Sequence, residues 1–145
     1  MSEIVLFLLM LLAHIVEDFH LQGKMADMKQ KQWWHNQIFA NVRGITDADA
    51  RDRELKEGLR KYGYDYIPVL ILHGFEWAIC VSIPVMFYTG FELSSDYIFM
   101  LVLMALVHSA VDHLKCNKLR INLVQDQIVH IAQVIVLWAI AVLQL

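Results

Sequence analysis

The chain has 145 residues, 58% of them hydrophobic and 19% charged, with a mean hydropathy of +0.47. That apolar fraction exceeds what an ordinary soluble domain carries and excludes a disordered chain or a polar binding module, while a net charge of -3 excludes nucleic acid as the default partner. Two widely separated cysteines, Cys80 and Cys116, make neither a disulfide framework nor a zinc-ribbon spacing.

Four stretches nearly free of Lys, Arg, Asp and Glu approach the ~20 residues needed to cross a bilayer. The first, residues 4–22, is apolar on every helical face from Ile4 to Ala13, where a soluble amphipathic helix would carry a polar stripe. No Lys or Arg precedes it and no small-residue cleavage site follows, which favours a membrane anchor over a signal peptide. His14 and Asp18 stand near its end, four residues apart and therefore on one face of a helix. Glu17 falls off that face and reads as a supporting group, and His20 as an interfacial one.

Residues 23–66 are the sizeable polar region. Met25, Met28, Trp33, Trp34, Ile38, Phe39 and Val42 form an aromatic-rich amphipathic stretch suited to the headgroup zone or to the groove of a partner protein. Thr46, followed by Asp47 and Asp49, predicts a capped helix with Leu55, Leu59 and Tyr62 as a narrow apolar stripe and Gly63 as its stop. Such a segment would lie on the membrane face or cover the end of a bundle.

The second span, residues 67–88, opens with His73 and Glu76; Trp77 shares the His73 face as a wall, and Cys80 lies deeper as packing. The third, residues 97–115, closes with His108 and Asp112, again four apart, beside an interfacial His113. The fourth, residues 123–144, begins with the reversed pair Asp126 and His130. The expected fold is all-α: a four-helix transmembrane bundle forming a single membrane domain, with a long helical cytoplasmic segment between the first and second spans.

The basic residues set the topology. All 12 lie either between the first two spans or, as Lys115, Lys118 and Arg120, between the third and fourth. Four spans put both groups on one side, and the positive-inside rule makes that side cytoplasmic. Residues 23–66 and 116–122 would then face the cytoplasm and both termini the outside.

This topology gathers the in-span polar residues into one leaflet, recessed about 10–12 Å below the headgroups. Polar groups there are costly and demand a role. Imidazole and carboxylate together suit zinc, manganese or iron. His14, Asp18, His73, His108, Asp112, Asp126 and His130 exceed the needs of one tetrahedral ion, which implies a two-ion site or one ion with supporting partners, zinc being the leading metal. A bound water whose pKa falls toward ~7 would serve hydrolysis of a lipid or a membrane-associated ester or phosphoester, with Asp18 or Asp126 left free as general base. Gln22, Gln127 and Lys115 sit where a substrate would enter; Lys24 and Lys115 could neutralise a phosphate headgroup or act as ordinary positive-inside anchors. Two rival readings are polar glue between helices and a non-enzymatic effector that docks a host membrane protein through residues 23–66. Apolar outer halves of all four spans argue against conduction.

The ordered elements Ala13-His14-Ile-Val-Glu-Asp18-Phe19-His-Leu21-Gln22, Leu72-His73, His108-Ser-Ala-Val-Asp112-His-Leu-Lys115 and Asp126-Gln127-Ile-Val-His130 resemble the domain-of-unknown-function 3307 family of small bacterial and phage integral membrane proteins. The resemblance covers both ends of the chain; the long segment 23–66 departs from the family's shorter first loop. It implies a bacterial inner-membrane protein but no activity. The layout is more distantly similar to membrane-bound metal-dependent hydrolases with intramembrane His and Asp ligands.

Overall fold

A computed structural model describes residues 1–143; residue 144, the expected end of the fourth span, lies outside the described residues. The protein is all-α. Helix α1 (Glu3–Val16) continues through a π turn (Glu17–Leu21), the polar segment folds as α2 (Met25–Met28), α3 (Lys31–Val42) and α4 (Ala48–Tyr62), and three long helices follow: α5 (Tyr66–Tyr88), α6 (Ser95–Cys116) and α7 (Leu123–Leu143). Four helical stretches are long and apolar enough to cross a membrane: Glu3–Leu21, Ala48–Tyr88, which runs from α4 through α5, Ser95–Cys116 and Leu123–Leu143. The bounds of α1 with its π turn, α5, α6 and α7 lie within two residues of the four stretches marked out by charge, and the second apolar stretch carries α4 in front of it.

Large apolar side chains cover the outside of this bundle, among them Leu8, Leu12, Ile79, Phe87, Phe99 and Ile128. A water-facing surface would not tolerate so continuous a coat, whereas acyl chains solvate it at no cost. Inside, Leu6, Met10, Trp77, Val81, Val85, Tyr97, Val134 and Leu137 form the core. Ser82 hydrogen-bonds to Tyr97 OH at 3.2 Å, which gives the buried phenol a partner.

One contact brings α5 and α6 unusually close. Gly74 on α5 lies against Ala105 and Ser109 on α6, and with the buried Ala78 one turn on, both helices carry a small-xxx-small pattern. A Cβ at Gly74 would collide with the Ser109 hydroxyl and the Ala105 carbonyl, so the approach is open to glycine alone. Ser109 Oγ donates across the contact to the Leu70 carbonyl at 2.9 Å. His73 and His108, the chain neighbours of Gly74 and Ser109, are thereby brought together.

In the polar segment, α3 and α4 form a hairpin in which Ile38 and Val42 are buried, and Ile38 lies against Gly58. The N-cap of α4 is Asp47 rather than the expected Thr46: its carboxylate accepts from the N–H groups of Asp49 at 2.9 Å and Ala50 at 3.4 Å. A carboxylate serves the positive end of the helix better than a hydroxyl. At the chain's turn out of α1, Gly23 takes a φ of 50°, a left-handed conformation suited to glycine.

Candidate metal centre

The end of α1, the starts of α5 and α7 and the end of α6 meet at one end of the bundle. The π turn decides what α1 contributes. In a regular helix His14 and Asp18 share a face and Glu17 does not; the widened turn inserts an extra residue into the helical count, so that Glu17 is fully buried while Asp18 also points inward. The expectation that Glu17 stands off the face fails for this reason. Single π turns of this kind are frequent at functional sites.

Two overlapping groups of donor atoms result. In the first, Glu17, Asp18, His73 and His108 each place one ligand-type atom within 4.8 Å of the others. His73 Nε2 lies 3.2 Å from His108 Nε2, 3.7 Å from Asp18 Oδ1 and 3.2 Å from Asp112 Oδ2, and His108 Nε2 lies 3.8 Å from Asp18 Oδ1. An ion with four donors at its usual bond lengths holds them about 3.3–3.4 Å apart, so the side chains are already spaced close to what coordination requires. Behind His73, Glu17 Oε1 stands 3.1 Å from Nδ1, yet neither atom makes an aligned hydrogen bond.

The second group comprises His108, Asp112 and His130, with Asp126 alongside. His130 Nε2 lies 3.6 Å from Asp112 Oδ1 and 3.3 Å from Asp126 Oδ1. All three atoms are buried, and none has a hydrogen-bond partner among the described residues. The state of His130 follows from its other nitrogen. Gln133 donates its amide N–H to the Met104 carbonyl at 2.8 Å, so its oxygen faces His130 Nδ1 at 2.9 Å and must accept a proton there. Nδ1 therefore carries the hydrogen, and in the neutral ring Nε2 presents a lone pair to two carboxylate oxygens. Two carboxylate oxygens against one imidazole nitrogen call for a positive charge between them, either a proton on Nε2 or a bound cation.

Asp112 links the groups, with one oxygen toward His73 and the other toward His130. His108 belongs to both; its ring stacks with that of Trp77, centroids 4.6 Å apart, and with that of His130, at 3.9 Å. Trp77 takes its expected place as the wall, and it also donates its indole N–H to His14 Nδ1 at 3.0 Å.

Around this centre the remaining polar side chains hold the carboxylates. Gln127 donates to Asp18 Oδ2 at 2.9 Å and to Asp126 Oδ2 at 3.2 Å, while its oxygen faces His14 Nε2 at 3.2 Å. Both nitrogens of His14 are thus engaged, one by Trp77 and one by Gln127, which places His14 behind Asp18 rather than with its lone pair toward the donor groups. Gln22 donates to the other Asp18 oxygen at 3.0 Å. Lys115 reaches Asp126 Oδ2 at 2.5 Å and Asp112 Oδ1 at 3.4 Å. Lys29, from the segment after α1, enters the cluster and meets Asp112 Oδ2 at 2.5 Å. Of the other histidines in the spans, His20 is exposed and His113 stacks on Tyr66 with centroids 5.9 Å apart.

All seven side chains expected from the sequence as ligands are therefore brought to one place. Glu17, expected as a supporting group off the face, joins them inside, and Lys29 and Gln133, which were not legible as members, complete the cluster. Gln133 carried a usable signal, since it follows His130 by three residues on the same helical face. Lys29 carried none, because its reach depends on how the segment after the span folds back. No family model, curated protein or solved structure matches the chain.

Proposed function

We propose that this is a multi-span bacterial inner-membrane metalloprotein, whose His/Asp centre lies in the cytoplasmic leaflet and hydrolyses a lipid or a membrane-associated ester or phosphoester. One observation carries the metal reading: Asp112 Oδ1, Asp126 Oδ1 and His130 Nε2 are buried, gather within 3.6 Å of His130 Nε2 and make no hydrogen bond among the described residues, with Lys115 3.4 Å from Asp112 Oδ1 as the one cation beside them, while Gln133 engages the other nitrogen of His130. The mixed nitrogen and oxygen donors suit zinc, manganese or iron. Asp112 turns Oδ2 toward His73 and Oδ1 toward His130, so it would offer a ligand atom to either donor group, one ion or two being held.

A divalent ion in such a site supplies Lewis acidity and lowers the pKa of bound water toward ~7. The chain's own residues supply the rest. Gln22 and Gln127 hold the Asp18 carboxylate from both sides and fix its direction. Asp18 is thereby placed to accept a proton from an attacking water, with His14, whose Nδ1 lies 3.8 Å from Asp18 Oδ2, behind it. The half-buried rim of Gln22, Gln127 and Lys115 is the side from which an amphiphile's polar head would reach the centre. Segregation of all 12 basic residues to this end supports a cytoplasmic orientation.

The decisive experiment is elemental analysis of full-length protein purified in detergent, alongside His108→Ala and Asp112→Ala. The wild-type chain should hold at least one ion per protein and the variants should lose it while still inserting as folded protein. Hydrolysis of phosphoester and ester substrates in mixed micelles should then disappear on chelation. Folded wild-type protein without stoichiometric metal sinks the proposal.

A further inference from the structure

The two lysines in the centre are not accounted for by metal binding. Lys29 is 4% exposed, and an ammonium group so deeply buried is rare unless it is given work or full compensation. Its one side-chain partner among the described residues is Asp112 Oδ2, which leaves two of its three N–H donors without an acceptor. Lys115, partly exposed at the rim, touches both Asp126 and Asp112. The short contacts of both ammonium groups fall on Oδ2 atoms, whereas the atoms facing His130 are Oδ1 of Asp112 and Oδ1 of Asp126, of which Asp112 Oδ1 has Lys115 at the longer distance of 3.4 Å. An ion among those Oδ1 atoms would therefore leave both short ammonium contacts in place.

The charge balance then points outward. Glu17, Asp18, Asp112 and Asp126 bring four negative charges and the two lysines two positive ones, so neutral histidines leave an excess of two negatives. A single divalent ion neutralises the cluster, and a second makes it cationic. A cationic, water-poor site with spare N–H donors favours an anion with several oxygens.

Lys29 is also delivered by a built attachment rather than by a loose arm. Asn117, just past α6, donates its amide to the Lys29 carbonyl at 3.0 Å and accepts from the Lys31 backbone N–H at 2.6 Å. The strap from Lys29 to Lys31 is thus pinned on both sides of the residue that separates them.

We infer that Lys29 and Lys115 form an anion anchor beside the metal centre, and that the group it takes is a phosphate, carried by a lipid headgroup or by a soluble phosphoester. This rests on the metal reading above and narrows its substrate class to phosphoesters. Asn117 is a positioning residue for Lys29.

The test uses the full-length protein in detergent, loaded with Mn²⁺ and counted for metal first, then titrated with inorganic phosphate by calorimetry. Wild-type protein should bind phosphate. Lys29→Met and Lys115→Met should each weaken that binding at least about tenfold at an unchanged metal count, since a hydrogen bond to a charged group is lost. Asn117→Ala leaves both ammonium groups intact and should fall between them and wild type, so the test stands even if Lys29→Met misfolds. Lys29→Arg should retain most of the affinity. Competition by phosphatidate in phosphatidylcholine vesicles stronger than that of soluble glycerol phosphate assigns the anchor to a lipid headgroup; the reverse order assigns it to a soluble phosphoester. Metal-loaded wild-type protein that binds no phosphate, or lysine variants that bind it as wild type does, overturns the anchor and leaves the metal centre standing. Absence of metal overturns both.

Discussion

Gln133 shows how one neutral side chain can decide the chemistry of a charged cluster. Its amide is oriented by the Met104 carbonyl, and that orientation dictates which nitrogen of His130 carries the hydrogen. Partners of this sort set both ring direction and ligand basicity, and their loss costs metal affinity roughly 10–100-fold in known sites. Gln133→Leu keeps the volume close and removes the acceptor. It should lower metal affinity by about that factor, read by competition with a chromophoric chelator, while Asp126→Asn, which removes a donor charge outright, should lower it further. An affinity unchanged in Gln133→Leu would mean that His130 is not a ligand. The His and Asp pairs were legible because charge inside a span is anomalous and the spacing of four residues is visible in one dimension. Gln133 stands out less because an amide in an apolar run is a smaller anomaly than a charge. What gives it meaning is the Met104 carbonyl on a neighbouring helix, which no local pattern reports.

At the level of the elements, two irregularities place the donors. The π turn rotates the end of α1 so that Glu17 joins Asp18 inside. Ideal helical spacing cannot anticipate that rotation, which is why the spans were readable in the sequence and the inward face at the end of the first was only partly so. The second irregularity is the close crossing of α5 and α6 at Gly74. Because a methyl group there meets the Ser109 hydroxyl and a backbone carbonyl, Gly74→Ala must push the helices apart. The expected cost is about 1–3 kcal/mol, the range for overpacking a close contact. The separation also widens the 3.2 Å gap between His73 and His108, the chain neighbours of the contact residues. Gly74→Ala should therefore lower both the midpoint of thermal unfolding in detergent and the metal content, whereas Gly44→Ala, where nothing lies within 4 Å of the added carbon, should change neither.

For the whole molecule, the structure joins two parts of the chain whose relation the sequence supplied only through counting. The strap at Lys29 and the connection after α6 at Asn117 are hydrogen-bonded to each other, so the two basic regions share one end of the bundle. The opposite end is formed by the start of α1 and the end of α7, where the Trp138 indole donates to the Glu3 carbonyl at 2.9 Å, and by the turn between α5 and α6. A bundle with all its Lys and Arg at one end has an electrostatic reason to insert in a single orientation, because basic loops resist translocation. Single cysteines at Ser2, Thr89 and Gly44, in a chain with Cys80 and Cys116 replaced, test this with a membrane-impermeant thiol reagent on intact cells. Ser2→Cys and Thr89→Cys should react, and Gly44→Cys only after the membrane is opened. The reverse pattern would put the His/Asp centre in the outer leaflet, and its substrate would then have to come from outside the cell. The donor geometry would be untouched by that result, since it depends on the helices and not on the side they face.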